Sequence, residues 1–354
     1  MLKTLKIENF RGIKTLETDA LRRVNVFFGR NNYGKTSLLE AFFWLFGMSN
    51  PQTPALLNIT RDILEYKKEN FQTLFYALDD AKKIEISASG PNGESRSLKV
   101  ESLFIPAREV ENTETLLGAM QKHVILGSYE LKIAFARDGV AYKPVFCSVV
   151  VGGKEKSALA MLPSASDYQE TQSTAYLPPS RGNVSADDAV KSLFRTKREK
   201  LLAETLSKID PRVRDLVLAG DEILVDFGDE MRLPLSVAGD GMRKVFHLVS
   251  AILYKTGGAV IVDEIDNGLH YSAMKPMWTA VLTAAKSADV QLFITTHNID
   301  SLKALTSVLK ENEAFREDVL TANFVRYPET GLCKVLPYDY AMLESCIDGE
   351  VEIR

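Results

Sequence analysis

Eight consecutive residues narrow what this chain can fold into more than any other feature. Gly29-Arg30-Asn31-Asn32-Tyr33-Gly34-Lys35-Thr36 fits G-x-x-x-x-G-K-[ST] at every fixed position. An apolar strand, Val24–Phe28, runs into the first glycine, and an apolar helix predicted from Thr36 to Phe46 leaves the threonine. The glycines let the backbone wrap a phosphate chain without Cβ clashes, and the loop N–H groups and the helix N-terminus then point at the anion. Gly29, Arg30, Asn31, Asn32, Gly34, Lys35, Thr36 and Ser37 are therefore the candidate phosphate-binding residues. Lys35 has the charge to neutralise β- and γ-phosphates, and the Thr36 hydroxyl is a ligand type for Mg²⁺. A chance match in a chain this long arises about once in a hundred, and the flanking strand and helix lower those odds.

A second site element lies far downstream. Ala259-Val260-Ile261-Val262 is a short, wholly apolar run ending in Asp263-Glu264, as a buried parallel strand with carboxylates at its ligand-facing end would read. Beside a phosphate loop, Asp263 is a candidate Mg²⁺ ligand and Glu264 a candidate catalytic base for an attacking water. An acidic strand-to-loop junction on a protein surface is the competing reading. Asp266 follows immediately, and Gln291–Thr296 forms another apolar run that delivers His297 to its end. His297 would reach a γ-phosphate there, although a lone histidine at a strand end is more often unremarkable.

Around these motifs the chain is expected to be α/β. The last third alternates helix and strand: Asp240–Tyr254, Ala259–Val262, Tyr271–Lys286, Val290–Thr295 and Ile299–Leu309. That alternation predicts a mainly parallel core sheet with helices packed on it. Lys83–Ala88 and Ser97–Leu103 read as strands about the Gly90–Gly93 turn, and His123–Met161 is strand-like with a turn at Gly152-Gly153, so an antiparallel β region is expected as well. Ala186–Ile209 reads as one charged helical run, and Asp210-Pro211 as a helix restart. Asp339–Ile353 reads as a terminal helix and tail. The expected organisation is a first ATPase lobe over 1–175, a helical lobe over 176–257, and a return to the core sheet over 258–354, together one domain.

Composition excludes several classes. With 354 residues, 45% hydrophobic and 25% charged, the chain can bury a core without metals or cross-links. A net charge of −4 supplies no global pull toward nucleic acid or membrane. Cys147, Cys333 and Cys346 lack metal or disulfide spacing, no stretch approaches the ~20 apolar residues of a membrane span, and the N-terminus lacks a signal-peptide pattern, so a cytoplasmic location is expected.

With these residues in place, the chain resembles the ABC-type ATPase heads shared by SMC proteins, RecF and the overcoming-lysogenization-defect (OLD) nucleases. The likeness is carried by Ile7-Glu8-Asn9-Phe10-Arg11, the Walker A loop at 29–36, Leu235-Ser236-Val237-Ala238-Gly239-Asp240-Gly241, Walker B at 259–264, the D-loop-like Asp266 and the switch residue His297, in family order. Asp263-Glu264-Ile265-Asp266-Asn267-Gly268-Leu269-His270 looks most like stand-alone OLD-type ATPases of bacterial antiphage or toxin–antitoxin modules. The resemblance implies ATP and Mg²⁺ as ligands and a homodimer, or a higher even-numbered oligomer, with two ATP molecules between paired heads. It implies that Ser236, Gly239 and Gly241 touch the γ-phosphate held by the partner subunit, and that Arg11 lies near the nucleotide, a surface salt bridge being the other reading of that arginine. It further implies a separate effector protein, a nuclease or toxin, that reads the nucleotide state.

Departures from the family pattern qualify the likeness. The signature is Ser-Val-Ala-Gly-Asp-Gly, and the Q-loop has only Gln72 and Gln172 as candidates. About 200 residues without heptads separate Thr36 from Ser236, which leaves no coiled-coil arms, and the 57 residues after His297 are too few for a Toprim nuclease. Arg195-Thr196-Lys197-Arg198-Glu199-Lys200 is either a solvated helix face or a nucleic-acid contact, and Arg181 either reaches the nucleotide or closes the lobe boundary. A RecF-like ATPase that clamps duplex DNA directly is the alternative function. A nucleotide sensor without turnover is a third, disfavoured by the intact Glu264.

Overall fold

The architecture follows from one parallel sheet whose strands bury both faces. A computed structural model describes residues 1–65, 67–105, 128–152, 156–160, 167–179, 186–208, 210–220, 222–237 and 239–349. Strands β1 (Thr4–Phe10) and β2 (Ile13–Thr18) form an N-terminal hairpin; β3 (Val24–Phe28) then enters the phosphate loop and α1 (Lys35–Phe46) leaves it. Two short helices follow, α2 (Thr53–Ile59) and α3 (Lys68–Gln72). An antiparallel region is built from β4 (Ile84–Ser89), β5 (Ser95–Ile105), β6 (Ser128–Arg137), β7 (Val140–Ala141), β8 (Val145–Gly152) and β9 (Lys156–Ala160). The chain returns through β10 (Thr174–Leu177) to α4 (Ala186–Arg195) and α5 (Glu199–Ser207). A small antiparallel sheet of β11 (Asp215–Ala219), β12 (Glu222–Asp226) and β13 (Leu233–Pro234) precedes α6 (Asp240–Tyr254). The last part runs β14 (Ala259–Val262), α7 (Tyr271–Ser287), β15 (Gln291–Thr295), α8 (Ile299–Glu311), β16 (Val319–Tyr327), β17 (Leu332–Tyr338) and α9 (Tyr340–Asp348).

Among the described residues, fourteen strands join one sheet, in the order β10-β14-β15-β3-β16-β17-β2-β1-β4-β5-β6-β8-β9 with β7 on β6. The first five are mutually parallel, and the side from β1 to β9 is antiparallel. Period-2 alternation divides the parallel strands between two cores. Phe27, Ala259, Ile261, Phe293 and Phe324 pack with α1, whereas Val26, Phe28, Val260, Val262 and Ile294 pack against α6, α7 and α8. This double burial is why these runs read as wholly apolar in sequence.

Three expectations need correction. The run 186–209 is two helices, broken where Lys197 takes a left-handed φ of 57°. The cluster at 195–200 therefore straddles a bend, and Arg198 Nη1 is held by the Leu253 carbonyl at 2.7 Å and Thr256 Oγ1 at 2.6 Å. Asp210-Pro211 starts a turn rather than a helix: the Asp210 side chain accepts from the Arg212 N–H at 3.0 Å, and the β11–β12 hairpin follows around Gly220, at φ 65°. The span 176–257 thus contains a three-stranded sheet beside its helices. The β16–β17 hairpin, also unforeseen, couples the parallel strands to the antiparallel side.

The face between α1 and the sheet is closed by aromatic packing. Phe293 is fully buried and stacks on Phe42 at 3.8 Å between ring centroids. Phe293→Ala should lower unfolding free energy by about 3–5 kcal/mol, read as a shift in urea midpoint at unchanged slope.

Candidate functional site

The parallel strands end on one edge of the sheet, and their loops enclose a cleft of about 730 Å³. The phosphate loop forms its floor, with Asp263 and Glu264 on one wall. Gly29 takes φ 132°, and a Cβ there would lie 2.7 Å from the Phe324 carbonyl oxygen, so only glycine fits against β16. Gly34, at φ 113°, starts α1 over the Phe324 ring. Lys35 folds back on the loop, its Nζ donating to the carbonyls of Gly29 at 2.7 Å and Arg30 at 2.9 Å. Burial pulls the Lys35 pKa down, while Asp263 and Glu264 act in the opposite direction.

The two motifs meet directly. Thr36 Oγ1 donates to Asp263 Oδ2 at 2.8 Å. The other carboxylate oxygen accepts from the buried Thr295 hydroxyl, and Thr295 Oγ1 accepts in turn from the Glu264 N–H at 2.9 Å. Thr295 ends β15, so one hydroxyl aligns both acidic residues and the strand that leads to His297. Glu264 takes a left-handed φ of 51°, which turns its side chain out of the strand direction. Its Oε1 lies 3.6 Å from His297 Nδ1, with both side chains part-exposed. The neighbouring hydroxyl and carboxylate of Thr36 and Asp263 fit Mg²⁺, which takes oxygen ligands and needs few from protein when a phosphate chain supplies others. Among the described residues no group of three or more His, Cys, Asp or Glu is placed to hold a metal by itself.

Arg11 is buried, which excludes a surface salt bridge. Its Nε donates to Glu40 Oε2 at 3.1 Å, its Nη2 to the Leu57 carbonyl at 3.1 Å and its Nη1 to Thr73 Oγ1 at 3.1 Å. Arg11 also lines the cleft, but its donors are directed into the protein. Burial lowers its pKa to about 10. Glu40, on α1, is fully buried and also accepts from Arg61 at 2.7 and 2.9 Å; Arg61 Nη2 donates to Ser37 Oγ at 3.1 Å. Arg61 and Arg326 line the cleft as well. Nothing in the sequence marks Arg61, Arg326 or Thr295, since a lone arginine or threonine carries no motif.

The remaining candidates lie elsewhere. Ser236 and Gly239 are exposed, Gly241 is half-buried beside Leu269 and Ala273, and none of the three lines the cleft. Asp266 is buried, with Oδ1 unpaired among the described residues, and the adjacent Asn267 carbonyl accepts from Lys244. Neither Q-loop candidate reaches the cleft: Gln172 Oε1 accepts from Arg96 at 2.8 Å, and Gln72 ends α3. Arg181 and Gly153 lie outside the described residues. Among the described residues no helix is long and apolar enough to cross a membrane.

Comparison with known proteins agrees with this geometry. Residues 1–125 match the family model "AAA ATPase domain" and residues 159–302 match "AAA domain, putative AbiEii toxin, Type IV TA system". An ATP/GTP phosphatase of Helicobacter pylori is 23% identical over 338 residues, covering 88% of this chain and 90% of that protein. A DNA replication and repair protein RecF of Lactobacillus acidophilus is 48% identical over 44 residues, 12% of each chain. In fold, the chain is similar to an SMC head solved in complex with the C-terminal winged-helix domain of ScpA, with TM-score 0.50 and 12% identity over 96% of this chain and 97% of that one. The class so defined is a nucleotide-binding P-loop ATPase with the architecture of an ABC-type head. Within it, the chain is similar to the ABC-type ATPases of the SMC/RecF/OLD group.

Removing Glu40 leaves Arg11 buried without its counter-charge. Glu40→Ala should cost about 3–5 kcal/mol of stability, measured by urea denaturation. Arg61→Ala should cost less, because that guanidinium keeps contact with solvent.

Proposed function

We propose that the chain hydrolyses ATP with Mg²⁺ at a site shared between two copies, and that the resulting opening and closing of a head pair regulates a separate effector. The observation that carries the catalytic part is the joined Thr36–Asp263–Thr295–Glu264 array. In this reading the loop amides around Gly29–Gly34 bind the β- and γ-phosphates and Lys35 exchanges its loop carbonyls for phosphate oxygens. Thr36 and Asp263 hold Mg²⁺. When bound, Mg²⁺ offsets the charge that develops on the phosphate oxygens. Glu264 accepts a proton from the attacking water, while His297, 3.6 Å away, contacts the γ-phosphate and orients that carboxylate.

The exposed positions of Ser236 and Gly239 support sharing of the site. Gly239 is the N-cap of the 15-residue helix α6 and Ser236 lies in the short turn Leu235–Val237 before it, both outside the chain's own cleft. There the free N–H groups and the positive end of the helix dipole are available to a phosphate held by a second copy. Asp266 belongs to the same edge and would act across the interface. A role in a defence or toxin–antitoxin module draws support from the AbiEii-type description matched by residues 159–302. Duplex clamping draws only on RecF matches that span at most 23% of the chain.

Lys35→Ala should abolish ATP binding. Glu264→Gln should retain it, lower turnover by ~10²–10⁴ and accumulate an ATP-dependent dimer in light scattering. Turnover of Glu264→Gln at the parent rate would remove Glu264 from the mechanism, and an unchanged rate for Ser236→Arg would remove the shared site. Duplex binding that persists near 0.15 M salt and depends on Arg195 and Lys200 would favour the clamp.

A further inference from the structure

Three arginines line the cleft, and two of them are engaged. Arg11 and Arg61 are held by Glu40. The Arg326 guanidinium forms no hydrogen bond or ion pair among the described residues, and its Nε is shielded from solvent without a partner. A shielded donor with no acceptor carries a desolvation cost that a ligand acceptor removes.

Strand order says which part of a nucleotide Arg326 faces. The loop-bearing β3 lies between β15 and β16. Asp263 and Glu264 follow β14, on one side of β3; Arg326 and the Arg11-Gly12 turn of the β1–β2 hairpin lie on the other. Phe324 touches Gly34 from below the loop, and Arg326, two residues further along β16, projects from the same face. A triphosphate with its γ end at the carboxylates therefore directs its ribose and base toward Arg326. The cleft is apolar there: Gly12, Phe75, Ala77 and Leu78 line it together with the guanidinium. Gly12 lies beside the guanidinium, since a Cβ at that position would be in ordinary contact with Arg326 Nη1, at 3.5 Å.

A guanidinium presents donors only, in a planar fork. Guanine offers two adjacent acceptors to such a fork, O6 and N7. Adenine offers N7 beside an amino group that would face another donor. We infer that Arg326 reads the base edge and that the chain uses GTP at least as well as ATP, with Arg326 the specificity-determining residue. The inference rests on the hydrolytic reading given above and names the substrate of that same site.

The test compares kcat/KM for GTP and ATP, by phosphate release, in the full chain and in Arg326→Ala and Arg326→Lys. The parent GTP-to-ATP ratio should be one or more. Arg326→Ala should weaken use of both nucleotides, but lower the GTP value about 10- to 100-fold more than the ATP value, the discrimination expected of a paired contact. Arg326→Lys restores the charge without the fork and should leave most of that selective loss in place. Equilibrium binding of fluorescent GTP and ATP analogues to the same proteins gives the ratio without turnover, so a failed hydrolytic reading and a failed base reading are seen separately. A parent ratio below one-tenth, or a ratio that Arg326→Ala does not change in either assay, overturns the inference.

Discussion

Asp263 carries the organisation of the cleft because its two carboxylate oxygens are committed to two different strands. One accepts from Thr36, at the start of the helix after β3, and the other from Thr295, at the end of β15. The three segments are separated by 227 and 32 residues along the chain, yet the parallel order β14-β15-β3 makes their ends neighbours. A carboxylate in so enclosed a place requires partners for both oxygens, and both partners are hydroxyls. Hydroxyls can rotate from carboxylate to metal-bound water or phosphate without moving the backbone, so the array is satisfied with or without a nucleotide in the cleft.

Lys35 shows the same economy in a group of opposite charge. Burial disfavours its ammonium, and two loop carbonyls hold it. A triphosphate is a stronger partner than neutral carbonyls, and the ammonium needs only to swing toward it. Beneath the loop, Glu40 is locked between Arg11 and Arg61 on the inner face of α1, which fixes the helix whose N-terminus faces the cleft. The cleft thus combines a rigid base with rotatable polar groups above it, the arrangement that favours preorganised electrostatic stabilisation.

Much of this was legible in sequence, for a physical reason. Walker A and Walker B are local: the glycines, the lysine and the acidic pair each stand next to the strand or helix that positions them, and doubly buried strands such as Ala259–Val262 have no polar positions to obscure them. Helix α6 was likewise found with its ends at Asp240 and Tyr254, because Gly239 and the Thr256–Gly258 turn bracket its apolar stripe. Contacts made between distant segments were not legible. Thr295 looked like one more residue of an apolar strand, and Arg61 and Arg326 have no neighbours in sequence that mark them. The break at Lys197 escaped notice because nothing in its side chain announces a left-handed backbone, and the Asp215–Asp226 hairpin because five-residue runs of Leu and Val suit helix and strand equally.

The protein's overall acidity and its basic cleft are compatible because their fields act over different ranges. A net charge of −4 spread over a 39.4 kDa surface is screened within about 10 Å at 0.1 M salt, whereas Lys35 and the cleft arginines act on a ligand at hydrogen-bond distance. The same reasoning applies to the edge that carries 235–241. The only ionisable side chain in that segment is Asp240, which repels a phosphate, so the segment cannot draw in a free nucleotide by charge. On the proposed shared site, its backbone dipoles act only on a triphosphate already fixed opposite them. In that proposal, a cleft that carries the cations and a partner segment that carries backbone dipoles and one acid imply an order of events: capture by the cleft first, closure by the second copy afterwards.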